Sequence, residues 1–292
     1  MKAPPVRYVR ASTLDDVFRL QRESDGTAKL LAGGQSLLAA LAFRLSTPDL
    51  LIDITRIADL QGITVLPGGG VRVGALTTHR ELGAHAVVQR KVPLLAQAVP
   101  LIAHAAIRNR GTIGGSLAYA DPAAELPACC VALEAVIAVV GPRGERRINA
   151  ADFFTGLFET ALADDELILA IEVPPATPDH RSTILELSRR SGDYAMAGVA
   201  ACAWGKAGQT RDLRLVFFGV GACPVVAHRA TAALGPLPWT PDVIAAAQAC
   251  LELDLDPPAD QHGGPEMKRH LAGILLARAL AALDPARKAT AA

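Results

Sequence analysis

Two glycine pairs constrain the fold of this chain more than any other feature, because each stands just before an apolar run. The first pair lies in Ala32 to Ser36 and follows the apolar stretch Ala28 to Leu31. The leucines that come next recur with the period of an α-helix, at positions 37, 38, 41 and 45. This pattern predicts a strand-to-helix joint. At such a joint, glycines allow positive φ and leave the free N–H groups of the helix start open to a phosphate.

A second glycine pair, in Thr112 to Ser116, repeats the arrangement further along the chain. Gly114 and Gly115 predict a nest of backbone N–H groups, to which the flanking hydroxyls could add donors. One Gly-Gly turn is weak support, because such pairs mark ordinary turns more often than phosphate sites. Two such loops, each opening an apolar helix and each flanked by Ser or Thr, favour opposing parts of one pyrophosphate site.

Other glycine-rich stretches do not match the common nucleotide fingerprints. Gly68 to Gly70 is followed by Val73 where a Rossmann fingerprint needs its third glycine. The Gly205-Lys206 pair lacks both the upstream glycine and the following Ser or Thr of a P-loop. These patterns argue against a Rossmann-type dinucleotide site and against a P-loop ATP site.

Composition excludes several other classes of protein. The 292 residues are enough for about two domains with cores of their own. Lys plus Arg and Asp plus Glu each number 29, and no basic cluster alternates with aromatic residues, so nucleic-acid binding is disfavoured. The sequence contains no run of about 18 uncharged apolar residues, so no membrane span is predicted. Residues Met1 to Arg7 lack the apolar core of a signal peptide.

The five cysteines are odd in number and have none of the C-x-x-C spacings of zinc, redox or iron–sulfur sites. We expect buried free thiols in a reducing cytoplasm. Any iron–sulfur cluster that this protein uses must then lie on another chain. His79 and His104 show no H-E-x-x-H pattern, so no metal ligand is predicted, and no catalytic residue stands out.

The predicted elements give an α+β fold in three blocks. Residues 1–56 are predicted to form a small β-α-β-α-β unit with a parallel sheet. Residues 57–176 are predicted to form a larger, largely antiparallel α+β block, with helical stretches from Thr78 to His85 and from Pro93 to Ala106. After the linker Pro174 to Asp179, residues 177–287 predict a small α+β domain with a three-stranded antiparallel sheet and two helices.

These motifs together resemble a known family. The two glycine loops and the downstream segment Ala120 to Pro127 closely resemble the FAD-binding medium subunit of molybdenum hydroxylases, which include xanthine dehydrogenases and carbon monoxide dehydrogenases. Similar stretches occur at Gly74 to His79 and at Arg189 to Ala195, so the resemblance covers nearly the whole chain. It implies a two-part FAD-binding domain, with FAD between the first two blocks and the small C-terminal domain on one side.

The resemblance also implies roles for individual residues. The two loops would hold the pyrophosphate, Glu125 would reach a ribityl hydroxyl, and Tyr194 would stand over the flavin. The full set of implied FAD-binding residues is Ala32, Gly33, Gly34, Gln35, Ser36, Ile102, Thr112, Gly114, Gly115, Ser116, Glu125, Ile168, Leu185, Asp193 and Tyr194.

Some of these residues have a plainer interpretation. Ile102, Ile168 and Leu185 could be ordinary core residues. Glu125 could simply favour the positive end of a helix dipole, and Asp193 with Tyr194 could form only a turn.

As a function, the resemblance implies the electron-output subunit of a cytoplasmic molybdenum hydroxylase. A large molybdopterin-binding subunit would oxidise the substrate, and a small subunit with two [2Fe–2S] clusters would pass electrons to this flavin. The complex would be a dimer of heterotrimers. Ala39 and Tyr119 depart from the family pattern, where proline and histidine are frequent, and bear on loop rigidity and the flavin surroundings.

Two alternatives remain open at this point. The chain could be a free-standing flavin oxidase or reductase of the same FAD-binding superfamily, which would need its own acid–base group beside the flavin. It could also be a nucleotide-binding structural subunit without redox turnover.

Overall fold

The computed structural model describes residues 3–24, 27–205, 210 and 212–284. The chain opens with a small parallel unit, as predicted. Its elements are β1 (Arg7–Arg10), α1 (Leu14–Glu23), β2 (Ala28–Leu31), α2 (Leu37–Ala42) and β3 (Leu50–Asp53). Strand β3 lies between β1 and β2 and runs parallel to both. Helix α1 begins where the Thr13 side chain accepts the Asp16 N–H at 3.1 Å.

The second block contains an antiparallel sheet and several short helices. Its elements are β4 (Ile63–Val65), β5 (Val71–Gly74), α3 (His79–Ala84), α4 (Ala86–Lys91), α5 (Pro93–Ala98), α6 (Ala105–Arg108), α7 (Ile113–Tyr119), α8 (Glu125–Ala132), β6 (Val136–Gly141), β7 (Gly144–Asn149), α9 (Ala150–Phe153), β8 (Phe154–Gly156), β9 (Glu159–Thr160) and β10 (Leu167–Val173). The sheet order is β4-β5-β10-β6-β7, while β8 and β9 form a separate pair.

The helical stretch predicted from Pro93 to Ala106 is interrupted. Helix α5 ends at Ala98 and α6 begins at Ala105. Between them Ala103 has a φ of 39°, which a continuous right-handed helix cannot contain. The Arg108 guanidinium stabilises the interruption by donating to the carbonyls of Ile102 and Ala103, both at 2.8 Å.

The third block contains β11 (His180–Leu187), β12 (Ala197–Trp204), β13 (Asp212–Phe218), β14 (Val225–Val226), α10 (His228–Leu234), α11 (Pro241–Asp254) and α12 (Pro265–Leu283). Its antiparallel sheet has the three long strands that the sequence predicts and a short fourth strand, β14, at the edge. Two residues are too few for an alternating pattern, which explains why the sequence does not indicate this strand. None of the helices in the described ranges is long and apolar enough to cross a membrane.

Alternate side chains of the sheets join the blocks into stacked layers. Leu167 and Leu169 of β10 pack against the N-terminal unit, whereas Ile168 of the same strand packs into the central core. In β13, Val216 faces that central core and Phe217 faces the C-terminal helices. Because strand side chains alternate between faces, one sheet can serve two cores. The predicted block boundaries, after residues 56 and 176, stay predictions.

Candidate functional site

The first glycine loop connects β2 to α2. Gly34 has a φ of 72°, in the left-handed region where glycine is favoured. The Gln35 side chain folds back and donates to the Gly33 carbonyl at 3.0 Å. Ser36 occupies the N-cap position of α2 without making a capping hydrogen bond. The Leu38 N–H donates to the Gly34 carbonyl at 3.1 Å, so the backbone donors that the loop can present are those before Leu38, beside the Ser36 hydroxyl.

The second glycine pair is not a left-handed nest, and that part of the prediction is wrong. Gly114 and Gly115 lie in the first turn of α7, and neither has a positive φ. Thr112 caps this helix, since its hydroxyl accepts the Gly115 N–H at 3.1 Å. Glycine is needed here for space: a Cβ on Gly114 would lie 2.5 Å from the Cβ of Ala75.

The start of α7 is held against the segment that follows β5. The Gly114 N–H donates to the Ala75 carbonyl at 2.8 Å, and the Ile113 N–H donates to the Thr77 carbonyl at 3.0 Å. A β-bridge between Thr78 and Thr112 extends this pairing. Together with the Thr112 cap, these bonds hold the start of α7 in place and occupy the N–H groups of Ile113, Gly114 and Gly115, so none of these three is left for a phosphate.

The two loops meet. A Cβ on Gly33 would lie 2.1 Å from the Arg110 carbonyl oxygen, so the first loop is seated directly on the backbone that leads into the second. A Cβ on Gly115 would lie 4.0 Å from the Ala32 Cβ. The structure therefore brings the two sequence motifs together, although they lie far apart in the chain.

A cleft of about 640 Å³ opens beside this junction. Residues of both loops line it, among them Ala32, Gly33, Thr55, Thr77, Arg110 and Thr112. The acidic lining residue, Glu81, accepts the Thr78 N–H and hydroxyl, each at 3.0 Å, so its carboxylate is already engaged. The first-loop backbone, the Thr112 hydroxyl and glycines that admit close approach fit the diphosphate of a dinucleotide.

A group of carboxyl and phenol side chains lies beyond α7. Glu125 opens α8, and burial raises its pKa to about 8, with the charges of Glu186 and Asp121 adding to the shift. Burial likewise raises the pKa of Glu186 to about 7, and its Oε2 has no hydrogen-bond partner among the described residues. The helix dipole at α8 therefore does not suffice to keep Glu125 ionised at neutral pH.

Tyr194 belongs to the same group. It is 62% exposed overall, yet burial of its hydroxyl side and the charges of Asp121, Tyr119 and Glu125 raise its pKa. The structure thus brings Glu125 and Tyr194 into one electrostatic neighbourhood. Since Glu125 is on α8 and Tyr194 is in the turn between β11 and β12, this neighbourhood joins the second block to the third.

The turn that carries Tyr194 rests on the interruption between α5 and α6. Gly192 has a φ of 85°, and a Cβ there would lie 2.8 Å from the Ala103 carbonyl oxygen. The Asp193 N–H donates to the Arg190 carbonyl at 3.0 Å and closes the turn. Ile102, which is buried, lies immediately before Ala103 and is therefore close to this turn.

Two of the predicted site residues, Ile168 and Leu185, pack in the hydrophobic cores. Ile168 is buried in the central core, at the bulge in β10. Leu185 packs against the C-terminal core, on the opposite face of β11 from Ile184 and Glu186. The structure therefore does not bring the Leu185 side chain together with Glu125 and Tyr194.

Sequence reasoning missed Glu186 and the part played by Tyr119. The available signal is strand alternation: Glu186 lies two residues after Ile184 in β11 and so shares its face, and Ile184 is buried in the central core. Tyr119, which departs from the family pattern, packs edge-on against Phe158 with ring centroids 5.3 Å apart. Ala39, the other departure, lies exposed on α2.

The fold and the junction of the two loops define an α+β flavoprotein subunit, and comparison with known proteins identifies its family. Residues 4–176 match the family described as FAD binding domain in molybdopterin dehydrogenase. Residues 182–283 match the CO dehydrogenase flavoprotein C-terminal domain. The chain belongs to the family of FAD-binding medium subunits of molybdenum hydroxylases, which are oxidoreductases, and the resemblance in the sequence is confirmed.

Individual relatives cover almost the whole chain. It is 36% identical to the 6-hydroxypseudooxynicotine dehydrogenase complex subunit alpha of Paenarthrobacter nicotinovorans, over 98% of this chain and 97% of that protein. It is 33% identical to the carbon monoxide dehydrogenase medium chain of Hydrogenophaga pseudoflava, over 96% and 97%.

Solved structures agree in fold. Carbon monoxide dehydrogenase from Hydrogenophaga pseudoflava superimposes with a TM-score of 0.93 at 35% identity, covering 98% of this chain and 99% of that one. Quinoline 2-oxidoreductase from Pseudomonas putida 86 gives 0.92 at 33% identity, covering 98% and 100%. One fold therefore serves enzymes that are named for different substrates.

Proposed function

We propose that this chain is the electron-output subunit of a molybdenum hydroxylase complex, receiving electrons from a partner subunit and passing them through FAD to an external acceptor. The observation that carries the proposal is the junction of the two glycine loops, where Gly33 lies against the Arg110 backbone and Gly115 lies beside Ala32. FAD, when bound, supplies the redox chemistry. The chain's own residues supply position and electrostatics.

The polar residues at the two ends of the site have different tasks. The backbone of the first loop, up to the start of α2, and the Thr112 hydroxyl bind the diphosphate. A Glu125 carboxyl with a pKa of about 8 is protonated at neutral pH, so its O–H can donate to a ribityl hydroxyl. Tyr194, exposed above the buried carboxyls, limits what can approach the flavin from the third block.

For partners, we propose a large molybdopterin-binding subunit and a small subunit with two [2Fe–2S] clusters, assembled as a dimer of heterotrimers in the cytoplasm. Relatives named as medium chains support a multi-subunit complex. The exposed apolar residues Leu38, Phe43 and Leu45, next to the first glycine loop, support a partner surface. All five cysteines lie in the described part of the chain and are free thiols, which fits a reducing compartment.

A second candidate is a free-standing flavin oxidase or reductase. Glu186 is the observation that favours it, because a carboxyl with a pKa of about 7, close enough to Glu125 to affect its pKa, could serve as an acid–base group of the chain's own. Turnover of a substrate by this chain without partner subunits would favour this candidate over the electron-output role.

One experiment separates these functions. The complex is purified, its visible spectrum and the FAD released on denaturation are measured, and substrate is added anaerobically. We expect stoichiometric FAD that bleaches in the complex and stays oxidised when the isolated chain meets the same substrate. Absence of FAD would overturn the proposal, and FAD that never bleaches in the complex would indicate a structural subunit.

A further inference from the structure

His79, the first residue of α3, is buried without an evident role. It is 6% exposed, and neither ring nitrogen has a hydrogen-bond partner among the described residues. Buried polar groups are nearly always bonded, so such an imidazole calls for an explanation. Burial lowers the pKa of His79 to about 4, the nearby Thr112 backbone partly opposes this shift, and the Arg108 charge adds to it. The ring is therefore neutral at physiological pH.

The ring is packed directly against Gly111. A Cβ on Gly111 would lie 2.9 Å from the ring Cε1 and 3.1 Å from Nδ1. The His79 backbone N–H also donates to the Gly111 carbonyl at 2.9 Å. The His79 ring and the His79 backbone N–H therefore both contact Gly111, in the segment that leads into α7.

Gly33 approaches the same segment. A Cβ on Gly33 would lie 2.9 Å from the Gly111 Cα and 2.1 Å from the Arg110 carbonyl oxygen. The backbone at 110–111 is therefore in close contact with both the imidazole and the first glycine loop. A change in the volume of the imidazole changes how closely the two loops can approach.

We propose that His79 is a positioning residue of the cofactor site: its imidazole holds the 110–112 backbone against the first glycine loop, so that the two glycine loops stay together at one side of the cleft. The inference rests on the FAD site described above and adds a residue that belongs to neither loop. The ring acts through Gly111, by volume and contact, and does not itself bind the cofactor.

The groups around the ring agree with a packing role. Helix α5, which packs against α3, has no titratable side chain. On α3 itself, Glu81 is bonded to Thr78, and the basic residues of α4, Arg90 and Lys91, are exposed. Arg108 on α6 is bonded to the carbonyls of Ile102 and Ala103. Among the described residues, no carboxylate is therefore bonded to the imidazole.

The test measures the FAD dissociation constant of the intact complex by the fluorescence of released flavin. His79→Ala should raise the dissociation constant by roughly tenfold or more, because the 110–111 backbone loses its support. Leu82→Ala is the matched control: it also makes a cavity at a fully buried position of α3, and it should change FAD binding by no more than about twofold.

The decisive variant combines two substitutions. Gly111→Ala alone should weaken FAD binding, because its methyl group collides with the imidazole. In the His79→Ala and Gly111→Ala double variant that methyl group occupies part of the space left by the ring, so FAD affinity should return to within about threefold of the wild type. A merely structural role would change thermal stability without this rescue.

Two results would overturn the inference. One is a double variant whose loss of affinity equals the product of the two single losses. The other is a Leu82→Ala loss as large as that of His79→Ala. If His79→Ala does not accumulate, Gly111→Ala measured alone decides, since unchanged FAD affinity there contradicts the proposed contact. If the proposed FAD site were wrong, the wild-type complex itself would contain no flavin, and this result is distinct from the two above.

Discussion

The Arg110 carbonyl oxygen lies where a side chain on Gly33 would begin, 2.1 Å from the position of its Cβ. No side chain fits between the two loops at this point. The contact is backbone to backbone, so neither partner can move aside as a flexible side chain could. A substitution at Gly33 therefore tests directly whether the two loops must be in contact for the cofactor site to form.

Gly33→Val should expel FAD. A branched side chain must push the 110–111 backbone away, and such overpacking costs about 1–3 kcal/mol, or roughly tenfold or more in affinity. The measurement is the flavin-to-protein ratio after gel filtration. Gly68→Val is the matched control, because a Cβ at Gly68 would meet nothing within 4 Å. Stoichiometric FAD in the Gly33 variant would contradict the loop assignment.

The cap of α7 gives a second prediction. Thr112→Ala removes the hydroxyl that accepts the Gly115 N–H, which should lower the free energy of unfolding by about 1 kcal/mol. It should also weaken FAD binding, because the cleft loses the Thr112 hydroxyl from its lining and the start of α7 loses its cap. Thr112→Ser keeps the hydroxyl and should restore both properties, as measured by thermal unfolding and FAD titration. Equal losses in both variants would indicate that the methyl group matters instead.

The sequence predicts a site residue well when the structural requirement for that residue comes from its neighbours in the chain. The strand-to-helix joint at the first loop is local, and the structure contains it. The reason for Gly114 is not local: the space it leaves is filled by Ala75, a neighbour that appears only after folding. The sequence therefore predicts a nest at Gly114, whereas the structure needs glycine there for space against Ala75.

The same limit applies to the third block. The three long strands have seven or eight residues each and are predicted from the sequence, whereas β14 has only two residues. Leu185 and Glu186 are adjacent in sequence, yet they lie on opposite faces of β11. Which of these two faces packs against the central core is decided only when the layers assemble. Local pattern predicts that faces alternate, but it does not say what each face meets.

The raised pKa values of Glu125 and Glu186 predict a pH dependence of stability. A carboxyl whose pKa is higher in the folded state stabilises that state fully below its unfolded value, and the contribution is lost as pH rises through the folded value. For this pair the loss runs from about 4.5 up to about 7 for Glu186 and about 8 for Glu125. The FAD-free chain should therefore become less stable across this range.

Glu186→Gln tests that prediction. Because glutamine stays neutral, the decline in the free energy of unfolding between about pH 5 and about pH 9 should be shallower than in the wild type, measured by urea unfolding at each pH. Glu252→Gln, at an exposed carboxyl on α11, is the control and should leave the slope unchanged. A slope that does not respond to Glu186→Gln would mean that this carboxyl is ionised in the folded chain.

Tyr194 gives the last prediction, which concerns flavin reactivity. Its ring is exposed, while its hydroxyl lies close enough to Asp121 and Glu125 for their charges to raise its pKa. If Tyr194 stands over the flavin, Tyr194→Ala should speed reoxidation of the reduced complex by dioxygen more than it changes the FAD content. Tyr194→Phe keeps the ring and should stay near the wild-type rate, so that stopped-flow traces of the two variants separate the effect of the ring from that of the hydroxyl. Identical reoxidation in all three proteins would remove Tyr194 from the flavin surroundings and leave it as part of the turn closed by Asp193 and Arg190.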